Sequence, residues 1–426
     1  MLFRSKIIAS ILIIVVLFPM LFTGCYDSIE IDDEVYAIAV GVDKGTGQNL
    51  KVTLQYPIYK GGGKGGGGGG SEGKENGQVD STIVSTIEAP SILEAINMLN
   101  TSLGRRVSLM HSKMLVLSEE IAKIGVGRYI APFTRFRETR RTMRVVVSKS
   151  NAEELLMDMK SLIGESSPKS IELLFEQYKT NGFFPNTSLQ EFYKDMTTTY
   201  EQPFAISANL NELTGKGQFS QSENSGTKDS PDLSAGSLAR KGGSKVELIG
   251  TDLFKGDKMT GSLDGYETRF FMMVQGEFKR GNLTLNDINS PGNILVFDVR
   301  QGRSPKLSVD FSGNKPVLGV ELNIEADIVS IQSRINYERS TLLGGLEVQL
   351  KTYLTNGITQ MIKKTQQIES DAIGFGRKAA HHFATIKEWE DYRWLSRYKD
   401  ADVNVNVKVN IRRTGLMYEA ADIVAD

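Results

Sequence analysis

The side chains able to do covalent or metal chemistry are few and scattered. The 426 residues hold one cysteine, Cys25, and three histidines. Protein zinc centres are built mainly from Cys and His in sets of three or four, so a zinc site is nearly excluded, and a single thiol allows no intramolecular disulfide. His111 stands beside Ser108 and Ser112, which would open a hydrolase argument, but no G-x-S-x-G nucleophile turn accompanies it. A structural hydrogen bond at the start of a strand is its plainer role. His381 and His382 are adjacent; neighbours on a helix point about 100° apart, so they form no chelating i,i+4 pair. Gly374-Phe375-Gly376-Arg377 has too few glycines for a dinucleotide fingerprint and reads as a turn between helices. Asp32, Asp33 and Glu34 lack the spacing of a calcium loop. No nucleophile, base and oxyanion donor come together, so no enzyme activity, catalytic residue, cofactor or metal is expected.

Charge offers more than nucleophiles do. Arg128, Arg135, Arg137, Arg140, Arg141, Arg144 and Lys149 are interrupted by one acid, Glu138. Such a run has two readings. It is a solvated face whose arginines pair with acids elsewhere, or a surface for anionic head groups or an acidic partner. Arg135, Arg137, Arg140, Arg141 and Arg144 are the candidate contact residues. Formal net charge is only −1, so bulk charge does not point to nucleic acid.

The address is written at the N-terminus. Arg4 and Lys6 precede an apolar run from Ile7 to Phe22, the layout of a secretory signal. At 16 residues the run is shorter than the roughly 20 that cross a bilayer as a helix. It ends in Leu21-Phe22-Thr23-Gly24-Cys25, which resembles the lipobox of bacterial lipoproteins. There, diacylglycerol is attached to the thiol and the signal is cut just before it. Residues 1–24 are therefore expected as a signal peptide, with Cys25 the lipidation site. Two acyl chains anchor stably where one is marginal.

The remaining chain must position these groups. Strands are expected at Val35–Val40, ended by Gly41, and at Leu50–Tyr56 as a hairpin partner. The glycine-rich tract 61–78 is expected to be disordered. Ser91 and Glu94 open a helix that Gly104 stops. Met114–Leu117 and Arg144–Ser148 read as strands, each followed by a helix. After a second break, expected as a mobile loop over 215–245, strands are expected at Ile294–Val299, Leu307–Phe311 and Val317–Ile328. A long helix follows through Leu346, Leu350, Leu354, Ile358 and Met361, which Gly344, Gly345 and Gly357 bend or divide. Val403 to Arg412 alternates β-branched and polar residues and is the clearest strand. The expected organisation is an N-terminal mixed α/β domain over 25–200, a small middle domain over 201–282 and a C-terminal α/β domain over 283–426.

Several stretches together resemble the Ger(x)C lipoproteins of spore germinant receptors. They are Gly24-Cys25-Tyr26-Asp27 with Glu30-Ile31; Gly41-Val42-Asp43-Lys44; Arg105-Arg106 followed by His111-Ser112-Lys113; the arginine-rich 135–144; Lys255-Gly256-Asp257-Lys258; and Val403 to Arg413. Tyr26 stands where the family usually has Trp. The resemblance implies an α+β fold of three mixed domains and a position on the outer face of the spore inner membrane. It implies two integral-membrane receptor subunits as partners and a non-catalytic part in nutrient-triggered germination. The alternative is a solute-binding lipoprotein of a transporter, which needs two similar lobes around a ligand cleft.

Overall fold

The computed structural model describes residues 33–58, 82–159, 167–212, 233–333, 335–337 and 340–415, with residue 30 and scattered positions between 4 and 18. Cys25 and the glycine tract 61–78 lie outside the described residues.

In chain order the elements begin with β1 (Glu34–Tyr36), β2 (Ala39–Lys44), β3 (Leu50–Pro57), β4 (Thr82–Ala89), α1 (Ile92–Leu103), β5 (Arg106–Ser108) and β6 (Met114–Ser118). Next come α2 (Glu119–Ile124), α3 (Gly127–Arg135), β7 (Arg144–Ser148), α4 (Ala152–Asp158), α5 (Ser167–Glu176), α6 (Tyr178–Asn181) and α7 (Leu189–Met196). Then follow β8 (Phe204–Leu210), β9 (Val246–Lys255), β10 (Lys258–Leu263), α8 (Gly265–Gln275), β11 (Arg280–Asn286), β12 (Ile294–Asp310) and β13 (Val317–Ile331). The last are α9 (Ser340–Gln367), α10 (Phe375–Ala380), α11 (Ile386–Tyr392), α12 (Trp394–Tyr398) and β14 (Asp402–Arg413).

The fold is α+β with two mixed sheets and a small parallel pair. Eight strands run in the order β10-β9-β8-β7-β6-β2-β3-β4, four in the order β11-β12-β13-β14, and β1 pairs with β5. β2, β6, β7 and β8 are mutually parallel at the centre of the large sheet. Every residue of β6 is buried, as expected when helices cover both faces of parallel strands. One face packs under α1, α2, α3 and α7, through Ile96, Ile121, Ile130 and Phe192 among others. The other packs against α4 and α8, and beyond them against the small sheet and α9, in one continuous core. The middle block is not free-standing: β8, β9 and β10 continue the sheet begun by β2 and β3.

Local chemistry explains most of the elements. Ser91 caps α1 by accepting from the Glu94 N–H at 3.2 Å, and Gly104 closes it at φ 63°. Gly41 does not end its strand as expected: it lies inside β2. A Cβ there would sit 2.9 Å from Leu156 Cδ1 and 3.2 Å from Ala152 Cβ, so its lack of a side chain lets α4 approach the sheet. Two strands expected in 294–311 are one, β12, which keeps its pairing with β13 past register shifts near Gln301 and Arg303. α9 runs undivided over its 28 residues. Gly357, expected to bend it, instead meets a neighbour: a Cβ there would collide with the Phe270 ring of α8.

The expected mobile loop 215–245 holds an ordered part. Residues 233–245 are tied to β8 and β9 by Asn211 Nδ2 to the Leu238 carbonyl at 2.8 Å, by the Gly236 N–H to Glu247 at 2.7 Å and by Arg240 Nε to Glu247 at 2.6 Å. Irregular backbone held by side-chain hydrogen bonds carries no periodicity for sequence reading to detect.

Candidate functional site

The arginine-rich run is built as a loop at the amino ends of the central parallel strands. Ala39, Met114 and Arg144 stand side by side in β2, β6 and β7. The N–H of Lys113 donates to Ile38 and that of Arg144 to Lys113, each at 2.8 Å. The segments leading into β6 and β7 therefore emerge at one end of the sheet. α3 ends where the Phe136 N–H returns to the Pro132 carbonyl, and two turns follow, Thr139 to Phe136 and Met143 to Arg140. Met143 is buried and its carbonyl accepts from Leu189 of α7, while that of Arg141 accepts from Gln190. Pinned in this way, the loop turns Arg135, Arg137, Arg140 and Arg141 outward, and Arg144 is half-buried.

The loop's single acid is already engaged: Glu138 pairs with Arg106 of β5. Among the described residues none of the five arginines has an ion-pair partner, whereas Arg240, Arg280, Arg300, Arg377 and Arg412 all do. The reading in which the loop arginines pair with acids elsewhere is therefore not what the described residues hold. His111 senses the local field. Its pKa is lowered by partial burial, then by Arg140 and Lys113, against an opposing pull from Glu34. The ring, expected to make a structural hydrogen bond at the start of a strand, lies on an exposed turn just before β6, edge-on to Tyr36 of β1 at 4.6 Å.

β1 sets this loop beside the incoming chain. Glu34 is in register with Arg106, and Arg106 holds the loop through Glu138. The N-terminal segment thus reaches the body of the protein at the cationic end of the sheet. The eight residue-to-residue steps from Cys25 to Asp33 can span at most about 29 Å.

Lys149, read from sequence as part of the same basic set, is elsewhere. It sits at the carboxyl end of β7, bound to Asp252 at 2.7 Å and Glu119 at 2.9 Å. Burial works against its ammonium, yet the two acids hold its pKa above the ordinary value. An open crevice of about 420 Å³ lies here, lined by Ser118, Glu119, Glu120, Lys123, Lys149 and Glu154 among others. Glu119 is taken up by both lysines, so the charges at its centre already satisfy one another.

Sequence reading passed over Asp43. Its carboxylate accepts from the Ala152 N–H at 2.7 Å and the Glu153 N–H at 3.0 Å, capping α4 across the sheet. Burial raises its pKa while those donors lower it. In Gly41-Val42-Asp43-Lys44, then, Gly41 admits α4 and Asp43 caps it. Among the described residues no cluster of His, Cys, Asp and Glu is placed to hold a metal, and no helix is long and apolar enough to cross a membrane.

Comparison with known proteins gives the class first: an α+β spore germination protein. Residues 27–208 match the family described as spore germination protein N-terminal domain, and residues 249–415 match "Spore germination B3/ GerAC like, C-terminal". The chain belongs to this GerAC-like family, the Ger(x)C spore germination proteins. Its relatives include YfkR of Bacillus subtilis (strain 168), 24% identical over 408 residues, covering 94% of this chain and 95% of that protein. Spore germination protein KC of the same organism is 23% identical over 421 residues, 95% of each chain. Spore germination protein GerQC of Bacillus cereus is 19% identical over 393 residues, 92% of this chain and 95% of that one. A crystal structure of the GerBC protein aligns over 87% of this chain and 96% of that chain, with a TM-score of 0.49 and 15% identity. The large sheet bridges the two matched stretches, since most of β8 lies in the first while most of β9 and all of β10 lie in the second.

Proposed function

We propose that this chain is a non-catalytic, lipid-anchored subunit of a nutrient germinant receptor. It assembles with two integral-membrane subunits on the outer face of the spore inner membrane and is held there through Cys25. The observation that carries the membrane-facing part is the arginine loop. Five arginines that have no acid partner among the described residues lie in or at the end of the loop that Glu138 ties to Arg106, the register partner of Glu34 in the strand through which the chain arrives from Cys25. A short tether limits which end of the body can face the bilayer. Cations within about 10 Å of anionic head groups escape most salt screening, and each contributes roughly 1 kcal/mol to surface attraction. Acyl chains and basic residues are then two signals acting together, the combination that gives stable anchoring.

The anchor is tested by fatty-acid labelling and fractionation of Cys25→Ser. The parent is expected to carry label and sediment with membranes, and the variant to carry none, because the chain has no second thiol. Persistent acyl label on the variant would remove Cys25 as the attachment point.

A further inference from the structure

The small sheet ends on a strand with an open side. β14 is twelve residues long, lacks proline and, among the described residues, lies at the edge, paired in parallel with β13 alone. The Asp402 N–H donates to the Pro316 carbonyl at 2.9 Å. N–H and C=O of alternate strand residues point the same way, so Asp402, Asn404, Asn406, Lys408 and Asn410 use their backbone groups toward β13. Val403, Val405, Val407, Val409 and Ile411 aim theirs outward. The Ile411 N–H agrees: it is satisfied by a side chain, Glu347 Oε1 of α9, at 2.9 Å. No described strand meets the rest of that edge. The side chains report the same opening. Val407 is 0% and Ile411 7% exposed, while Val403, Val405 and Val409 on the same face stay only half-buried. A long, proline-free open edge is a template for another strand.

We propose that the edge takes a second copy of this chain, β14 against β14 in antiparallel orientation across a two-fold axis through Val407. The sequence of the strand is self-complementary in that register. Asp402 then lies opposite Arg412, Asn404 opposite Asn410 and Asn406 opposite Lys408 on the polar face. Val403 meets Ile411, Val405 meets Val409 and Val407 meets its own copy on the face toward α9. The neighbouring registers are poorer. Sliding one way sets Lys408 against Lys408, and like charges directly opposite are unfavourable; sliding the other way sets Asp402 against Asn410 and moves Arg412 opposite Asp400, which lies outside the strand. The register centred on Val407 pairs the strand from Asp402 to Arg412, offers a partner to the outward backbone groups, with the Ile411 N–H exchanging Glu347 for the second copy's Val403 carbonyl, and joins two four-stranded sheets into one of eight. Such contact between identical surfaces is isologous and closes on itself, so it stops at a dimer.

Thiol pairing on full-length chains tests both the contact and its register. Asn406 and Lys408 of the two copies form a non-hydrogen-bonded pair, whose Cα separation of about 4.5 Å falls within disulfide reach. Two differently tagged full-length chains, one with Asn406→Cys and one with Lys408→Cys, are co-expressed in membranes and oxidised, beside the parent pair as the control for Cys25. A cross-tag disulfide is expected here and in Asn404→Cys with Asn410→Cys. None is expected in Asn404→Cys with Asn406→Cys, which the register holds four residues apart. Val405→Pro removes one outward donor and no bond to β13; it should convert the dimer seen by sedimentation in detergent to a monomer with little change in unfolding midpoint. The proposal is overturned by a parent that sediments as a monomer, or by in-register cysteine pairs that yield no cross-tag product. It is equally overturned by a product of equal yield in the out-of-register pair, or by adducts only to a different polypeptide, which would assign the edge to another partner.

Discussion

Val407→Asp is expected to lower the unfolding free energy of the full-length chain by about 4 kcal/mol, while Asn406→Asp, one residue away, changes it by less than about 0.5 kcal/mol. The contrast follows from the strand's two faces. Val407 is fully buried, in register with the buried Leu322 of β13, in the core that also contains Leu346, Leu350 and Leu354 of α9. A carboxylate there loses its water and finds no cation, and an uncompensated buried charge is among the few single changes that cost several kcal/mol. Since domains are stable by only about 5–15 kcal/mol, the change removes a large share of the total. The penalty falls on the ionised form, so it should shrink as pH is lowered and the buried carboxyl takes up a proton. Asn406 is exposed and in register with Glu321, so its carboxylate adds only a screened repulsion. Denaturant unfolding of both variants in detergent separates the outcomes; two midpoints equal to the parent's would mean that β14 does not close this core.

The second large effect is on membrane binding. Replacing Arg135, Arg137, Arg140, Arg141 and Arg144 together by Gln is expected to weaken binding to vesicles of phosphatidylglycerol and phosphatidylcholine by about two to three orders of magnitude at moderate salt. The comparison is made in the Cys25→Ser background, where no acyl chain masks the difference. At roughly 1 kcal/mol per cation near an anionic surface, the four exposed arginines supply most of the loss, and each 1.4 kcal/mol is about tenfold in affinity. Arg144 adds less because it is half-buried. The parent's affinity should fall steeply with added salt, and the variant should keep the parent's unfolding midpoint, since none of the five makes an ion pair among the described residues. Equal binding by parent and variant, or equal binding by the parent to purely neutral vesicles, would move the loop's role from lipid to another surface.

These expectations depend on features that were legible to different degrees. β14 could be read residue by residue because alternation at period two survives when one face is buried and the other wet. The stripe along α9 was equally plain. α8 escaped notice for the opposite reason. Thr268 through Val274 are all buried, so no polar face marks a helical period, and the only local signal was Asp264 with Glu267, a capping box that the structure completes in both directions. The continuity of β8, β9 and β10 with the large sheet was hidden because pairing partners are fixed by packing across distant residues, not by local pattern. Within the site, charge type and spacing marked the arginines, but not the separation of Lys149, which acids 30 and 103 residues away in sequence hold at the far end of the strand. Asp43 and Gly41 were visible only as a motif; their shared task, seating α4, needs the third dimension.

Affinity isolation of the tagged full-length chain from spore membranes tests the central claim most directly. A germinant-receptor subunit should bring down two multi-spanning polypeptides in constant proportion, from the membrane fraction and in mild detergent. Recovery of a permease together with an ATPase would instead support the solute-binding alternative, and recovery of the chain with no membrane-spanning partner would contradict the receptor assignment itself.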